Sequence, residues 1–362
     1  MYDVFGQWMP NKIMDNTLKN QPLQYSKGTI SVSLVHEALQ EAKNQGITLD
    51  PILDQAGIAS EILHSPLARV SVEAYAQLWT ELANAMNDEF FGMDRHHMRR
   101  GSYKLLSEMV MHADQLHTAL RQILQFLNAI LDDFQSTLFT EENYAYIVIY
   151  DTDQPKRMFS YATYLMLIHG LMCWLTGQRI TLNRIELKCN APQDDQDYKV
   201  RFCENIGYLA DENYIQFDAS WLKTPIKQDH STWQKFIQNT PQNLLVRFKN
   251  PHALSSIIRK HLMQKHPSEW LELNELTHFL NISEATIQRR LKSEGFSYQQ
   301  LKNEIRRDTA IELLSRSDKT LQQISDDLYF QDPSAFHRAF KKWTGVSPGS
   351  YRHENIALDG QE

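Results

Sequence analysis

Asp332-Pro-Ser-Ala-Phe-His-Arg-Ala-Phe-Lys-Lys-Trp-Thr-Gly-Val-Ser-Pro-Gly-Ser-Tyr-Arg352 reads as a short capped helix, a glycine stop and a second capped turn. Asp332 offers a side-chain acceptor to the free N–H groups of the first turn, and Pro333 fits that turn because it has no N–H to satisfy. Phe336 and Phe340 lie one helical turn apart and face a core. The opposite face then carries Ser334, Ala335, His337, Arg338 and Lys341. The same pattern stands 49 residues earlier, where Ser283 is the cap, Ile287 and Leu291 are the core pair, and Ala285, Gln288, Arg289 and Lys292 face away. The helices that precede the two also match, since Leu273, Leu276, Leu280 and Ile282 return as Leu321, Ile324, Leu328 and Phe330. A helix, a tight break and a second helix with an apolar pair form a helix-turn-helix unit, here present twice.

The outward faces suit base reading. Arginine and glutamine make paired hydrogen bonds to guanine and adenine edges, and small side chains near a helix start allow close entry to the groove. The chemistry of Gln288, Arg289 and Arg338, with Ala285, Ser334 and Ala335 beside them, matches base reading. Between the units, Tyr298–Arg316 reads as one helix, a connector able to hold two recognition helices about 34 Å apart, one turn of DNA. Lys302, Arg306, Arg307, Lys319, Thr320, Lys341 and Lys342 are the expected phosphate contacts, which position a protein on the duplex without specifying sequence.

Ser283-Glu-Ala-Thr-Ile-Gln-Arg-Arg-Leu291, Arg306-x-x-x-Ala310-x-x-Leu313-Leu314 and the stretch from Phe336 to Arg352, closing on Gly345-Val-Ser-Pro348 and Tyr351-Arg352, resemble the AraC/XylS family of bacterial transcription regulators. The resemblance covers about residues 253–353. It implies double-stranded operator DNA and RNA polymerase as partners, with base contacts at Ala285, Gln288 and Arg289 in the first unit and at Ser334, Ala335 and Arg338 in the second. Two turns depart from the family pattern: Asn281 and Tyr329 stand where glycine is usual. Asparagine tolerates a left-handed backbone, whereas tyrosine does so poorly, so a strained or differently shaped second turn is expected. Thr277 and Ser325 replace the usual alanine of the first helix, a change small enough to keep the packing.

Ahead of this region the period of the apolar residues changes. Val72, Tyr75, Trp79, Leu82 and Met86, then Leu116, Leu120, Ile123, Leu124 and Leu127, mark amphipathic helices. Phe134–Phe139 and Tyr144–Tyr150 read as a hairpin around Glu141-Glu142-Asn143, with further strands at Ile180–Leu187 and Tyr214–Phe217. Met158 to Gln178 has bilayer length and no Asp, Glu, Lys or Arg, but Ser160, Thr163, His169, Thr176 and Gln178 interrupt it. A buried core helix is the expectation, with no membrane partner. The fold class is thus an α+β N-terminal domain with a small, mainly antiparallel sheet, followed by an all-α C-terminal domain with two helix-turn-helix units. The expected divisions are 1–230 for an effector-sensing or dimerisation domain, 231–252 for a helical linker, 253–353 for DNA binding and 354–362 for a tail.

Charge agrees with that division. The 362 residues carry a net charge of −7, yet 251–353 hold 15 Lys and Arg against 12 Asp and Glu, while 1–250 hold 22 against 29. With 13 glycines and no two closer than four apart, the Gly-rich phosphate loops and the G-x-S-x-G nucleophile elbow are absent, and an enzyme is not expected. Cys173, Cys189 and Cys203 give no C-x-x-C pair and no even disulfide set, and the N-terminus carries no secretory pattern, so a cytoplasmic protein is expected. The 14 histidines match no zinc spacing, and no metal or cofactor is expected.

In its order of elements the N-terminal part resembles the non-cupin sensor domain of one AraC subgroup, often labelled arabinose-binding-like. Two roles stay open for it: sensing a small-molecule effector, or only forming a homodimer or binding a protein partner. An effector pocket is expected beside the 158–176 helix at Tyr161, Tyr164, Leu165, Ile168 and Trp174, because pockets are lined mainly by aromatic and apolar side chains.

Overall fold

The computed structural model describes residues 28–151, 154–245, 254–294 and 296–352. The expected tail, the 246–252 part of the expected linker, and Gly295 lie outside them. The chain opens with β1 (Thr29–Ser31), α1 (Val32–Asn44), α2 (Asp50–Ala56), β2 (Arg69–Ser71) and α3 (Val72–Met86). Ser71 caps α3 by accepting from the Ala74 N–H at 3.1 Å, and its Val72, Tyr75, Trp79, Leu82 and Met86 stripe is buried. After α4 (Ser102–Val110) and α5 (Leu116–Ile130) come β3 (Phe134–Glu141) and β4 (Tyr144–Asp151), a hairpin whose turn holds Glu142 at φ 51°. Ala145, Ile147 and Ile149 alternate inward on β4, as a sheet with one covered face requires. With β5 (Leu182–Glu186), β6 (Ile206–Gly207) and β7 (Asn213–Asp218) the sheet has the order β3-β4-β7-β5-β6, antiparallel except between β5 and β6.

Between β4 and β5 runs α6 (Met158–Thr176), in which every residue but Trp174 is buried. A helix that is apolar all round needs cover on all sides, and here the protein supplies it. α7 (Gln196–Arg201) precedes β6. The expected helix Thr232–Val246 is divided into α8 (His230–Gln238) and α9 (Gln242–Leu245), because Pro241 has no N–H to carry one helix through. These helices bury Trp233, Phe236, Leu244 and Leu245, with Phe236 stacked on Trp174 at 4.5 Å and the Trp233 indole N–H on Ser107 at 3.0 Å. The described part of the expected linker is thus packed onto the N-terminal domain. The β1–β2 ribbon has no signal in the sequence, since two three-residue strands are too short to display a period of two.

The C-terminal region holds α10 (Leu254–Met263), α11 (Leu273–Leu280), α12 (Glu284–Ser293), α13 (Tyr298–Arg316), α14 (Leu321–Asp327) and α15 (Pro333–Thr344), closed by a 3₁₀ turn at Pro348–Tyr351. Its apolar residues fall into two groups. Ile258, Leu262, Leu276, Ile287, Leu291, Leu301 and Ile305 form one small core. Ala310, Ile311, Leu314, Ile324, Leu328, Phe336, Phe340 and Tyr351 are continuous with the core of the N-terminal domain. α13 contributes to both. The junction with the N-terminal domain is hydrogen-bonded as well: Thr29 Oγ1 donates to Asp308 at 2.8 Å, Ser65 Oγ donates to the Thr344 carbonyl at 2.8 Å, and the Arg69 backbone N–H donates to the Tyr351 hydroxyl at 3.1 Å.

Candidate nucleic-acid interface

In the first unit α11 is opened by a reciprocal cap between Glu272 and Glu275 and ends on Asn281 in the left-handed region, φ 54°. Ser283 accepts from the Thr286 N–H at 3.3 Å and starts α12. Ile287 and Leu291 are fully buried, which fixes the rotation of α12 and turns Ala285, Gln288, Arg289 and Lys292 to the outside. Gln288 is held against Glu284 at 3.1 Å. The second unit repeats this design with different residues. Thr320 and Gln323 cap α14 reciprocally, Tyr329 takes the left-handed turn at φ 57°, and Asp332 caps α15 by accepting from Ala335 N–H at 2.7 Å. Phe336 and Phe340 are buried, so Ser334, His337, Arg338 and Lys341 are exposed and Ala335 is half-buried. Arg289 and Arg338 make no hydrogen bond or ion pair with the described residues. Two guanidinium forks thus stand in water at equivalent positions of two capped helices.

The residues expected on phosphates divide. Lys341 and Lys342 are exposed on α15, and Thr320 is exposed with its hydroxyl capping α14 at 3.2 Å. Lys319 reaches Asp327 at 2.7 Å. Lys302 is buried, bonded to Glu272 at 3.2 Å and lying 4.9 Å over the Tyr298 ring. Arg307 is turned toward Asp308 at 2.8 Å, the carboxylate that also receives Thr29. Arg306 lies between two rings, 4.9 Å from Trp270 and 5.5 Å from Phe330, and donates from Nε to the Leu328 carbonyl at 3.1 Å. Trp270 belongs to the core of the first unit, while Phe330 and Leu328 belong to the second. That cation–π clamp between units has no signal in the periodicity, because its three residues come from three elements.

The expected effector residues are absorbed by packing. Tyr164 stacks on Phe134 at 5.2 Å and shares a 2.6 Å hydrogen bond with Ser136. Tyr161 donates to Asp151 and accepts from the Lys156 N–H, Leu165 and Ile168 are buried, and Trp174 lies against Phe236. Burial pushes the phenols of Tyr161 and Tyr164 far up, so both stay neutral. Concave space beside α6 includes a void of about 30 Å³ against Phe159, Ala162 and Met166, and an open cleft of about 530 Å³ at the helix start, lined by Ser160.

Residues 46–226 match a family described as the arabinose-binding domain of AraC transcription regulator, N-terminal, and residues 276–354 match a helix-turn-helix domain family. The ornithine utilization regulator of Pseudomonas aeruginosa is 22% identical over 342 residues, 92% of this chain and 98% of that protein. The HTH-type transcriptional regulator VqsM of the same species is 34% identical over 87 residues, 24% of this chain and 27% of that protein. Among solved structures, the transcriptional regulator CdpR from Pseudomonas aeruginosa aligns over 88% of this chain and 98% of its own, with 18% identity and a TM-score of 0.30.

Proposed function

From the premise that this chain belongs to the AraC family of transcription regulators, we propose that it binds its operator through α12 and α15 in successive major grooves and that its N-terminal domain answers to a small-molecule effector. The observation that carries the DNA-binding half is the pair Arg289 and Arg338, exposed, uncommitted and in one register of a duplicated unit. Ala285, Gln288, Ser334 and Ala335 would read bases beside them, and Thr320, Lys341 and Lys342 would touch phosphates. Lys302, Arg306 and Arg307 would act mainly by holding these elements in place. The domain division offered is a sensor through α9 and a DNA-binding region from α10 onward, working in the cytoplasm and recruiting RNA polymerase. Catalysis forms no part of this reading. A purely dimerising N-terminal domain is the second reading, favoured by Phe139 and Tyr150 exposed on the edge hairpin.

The experiment is substitution of each arginine, read on a duplex selected from random sequence with the full-length protein. Arg289→Ala and Arg338→Ala should each weaken specific binding by about 1–3 kcal/mol and relax preference in one half-element only. If Arg289→Ala instead leaves sequence preference intact and lowers the salt slope by about one, the side chain is a phosphate contact and the groove assignment falls.

A further inference from the structure

The two recognition helices end on different anchors. Gly295 and Gly345 are equivalent in the repeat, so the residues before them, Glu294 and Thr344, are equivalent too. Glu294 caps the end of α12, and its backbone N–H returns to the carbonyls of Arg290 at 3.1 Å and Leu291 at 3.0 Å. Its carboxylate then accepts two backbone N–H groups at the start of α10, those of Leu254 at 2.9 Å and Ser255 at 2.8 Å. Such N–H groups lack a partner within their own helix, and a carboxylate also suits the positive end of the helix dipole. Thr344 is the last residue of α15 and is fully buried. Its hydroxyl turns back to the Phe340 carbonyl at 2.9 Å, while its own carbonyl accepts the Ser65 hydroxyl of the N-terminal domain at 2.8 Å. Ser65 is held on both sides, its N–H donating to the Ile62 carbonyl at 3.1 Å and its carbonyl receiving the Ala68 N–H at 3.0 Å.

Equivalent helix ends are thus moored to different bodies. Each helix is seated by a buried pair, Ile287 and Leu291 in α12 and Phe336 and Phe340 in α15, and each starts on a local cap. A pair one turn apart on one face fixes rotation about the helix axis, and tilt about that pair is fixed at the ends. Arg289 lies about 7.5 Å along the axis from Glu294, and Arg338 about 9 Å from Thr344, so tilt at the moored end carries to the guanidinium. Paired hydrogen bonds to a base edge need placement within about 0.5 Å and 10–20°.

We propose that Glu294 and Ser65 are positioning residues for sequence reading: Glu294 sets the tilt of α12 by holding it to α10, and Ser65 sets the tilt of α15 by holding the Thr344 carbonyl. The assignment rests on the reading that α12 and α15 enter major grooves. Its consequence is a division between the two units. The N-terminal domain grips the end of α15, whereas the end of α12 is gripped from within the DNA-binding region. A shift of the N-terminal domain at Ser65 would therefore change preference in the half-element read by α15.

The test measures base preference of the full-length protein on a duplex selected from random sequence, changing one base pair at a time. Arg289→Ala and Arg338→Ala identify the half-element that belongs to each helix. Glu294→Ala should lower discrimination in the Arg289 half by about 5-fold or more and leave the other half as in the native protein, and Ser65→Ala should do the reverse. The salt slope should stay the same in both variants, because neither side chain touches a phosphate. Glu294→Gln keeps one oxygen for one of the two N–H groups and should fall between native and alanine; it decides the matter if Glu294→Ala does not fold. Discrimination lost in both halves from either variant, or unchanged in both, overturns the positioning role. If the two arginine variants leave preference intact, the groove assignment falls instead, and hydrogen exchange then judges the moorings. Glu294→Ala should speed exchange in α12 and not in α15, Ser65→Ala in α15 and not in α12, and equal acceleration in both helices sinks them.

Discussion

Tyr329 pays a local cost for its position, since a side chain with a Cβ in the left-handed region is disfavoured by about 1–2 kcal/mol. Asn281 in the first unit meets the same geometry at φ 54° with a residue that tolerates it. The Tyr329 ring returns little, being 62% exposed with its nearest aromatic neighbour, His266, at 6.5 Å. Tyr329→Gly should therefore raise stability by about 1 kcal/mol without moving α15, measured as a higher urea midpoint at an unchanged m-value. A fall in stability would show that the ring makes a contact worth more than the strain. This left-handed turn was legible through the family resemblance, which puts glycine where Tyr329 stands. What Lys302 and Arg307 do was not readable, because charge in a sequence does not say whether a side chain faces solvent or a buried carboxylate.

The helices were legible to within a residue or two wherever caps and a 3.6 period coincide, as in α12, α13 and α15. Elements made by contact with distant chain were not: β1 and β2 exist through each other, 40 residues apart, and the Trp270–Arg306–Phe330 clamp is likewise non-local. The clamp fixes how α12 stands relative to α15, so its loss belongs to geometry more than to charge. Arg306→Ala should weaken binding to the full bipartite site far more than binding to an isolated half-element, whereas a plain phosphate contact would weaken both alike. Fluorescence anisotropy on the two duplexes distinguishes the outcomes. Arg306→Lys keeps the charge without the planar stacking, and it should fail to restore the bipartite preference.

At the scale of the whole molecule the DNA-binding region is divided unevenly. The second unit shares the N-terminal core and is tied to it through Thr29, Ser65 and Arg69, while the first unit closes a small core of its own. Hydrogen exchange on the full chain should show α14 and α15 protected together with α3 and α6, and α11 and α12 opening at lower free energy. Gly345 ends α15 at φ 79°, and a Cβ there would lie 2.3 Å from the Ser65 hydroxyl. Gly345→Ala should accordingly speed exchange in α15 and leave α12 unchanged. Equal acceleration in both units would mean that they unfold as one.

α13 is rooted in the first core through Leu301 and Ile305 and in the second through Ile311 and Leu314. At 19 residues it is about 28 Å long, and each residue along it turns the chain by about 100°. The helix is thus a crankshaft whose length sets the phase between two blades. One residue inserted near its middle would swing one recognition helix to the wrong side of the duplex, while seven would bring it back within about 20° but push it some 10 Å further along the helix axis. If α12 and α15 read successive grooves as proposed, the operator's half-element spacing follows from the length of one helix, and a change in that spacing requires compensation by whole turns.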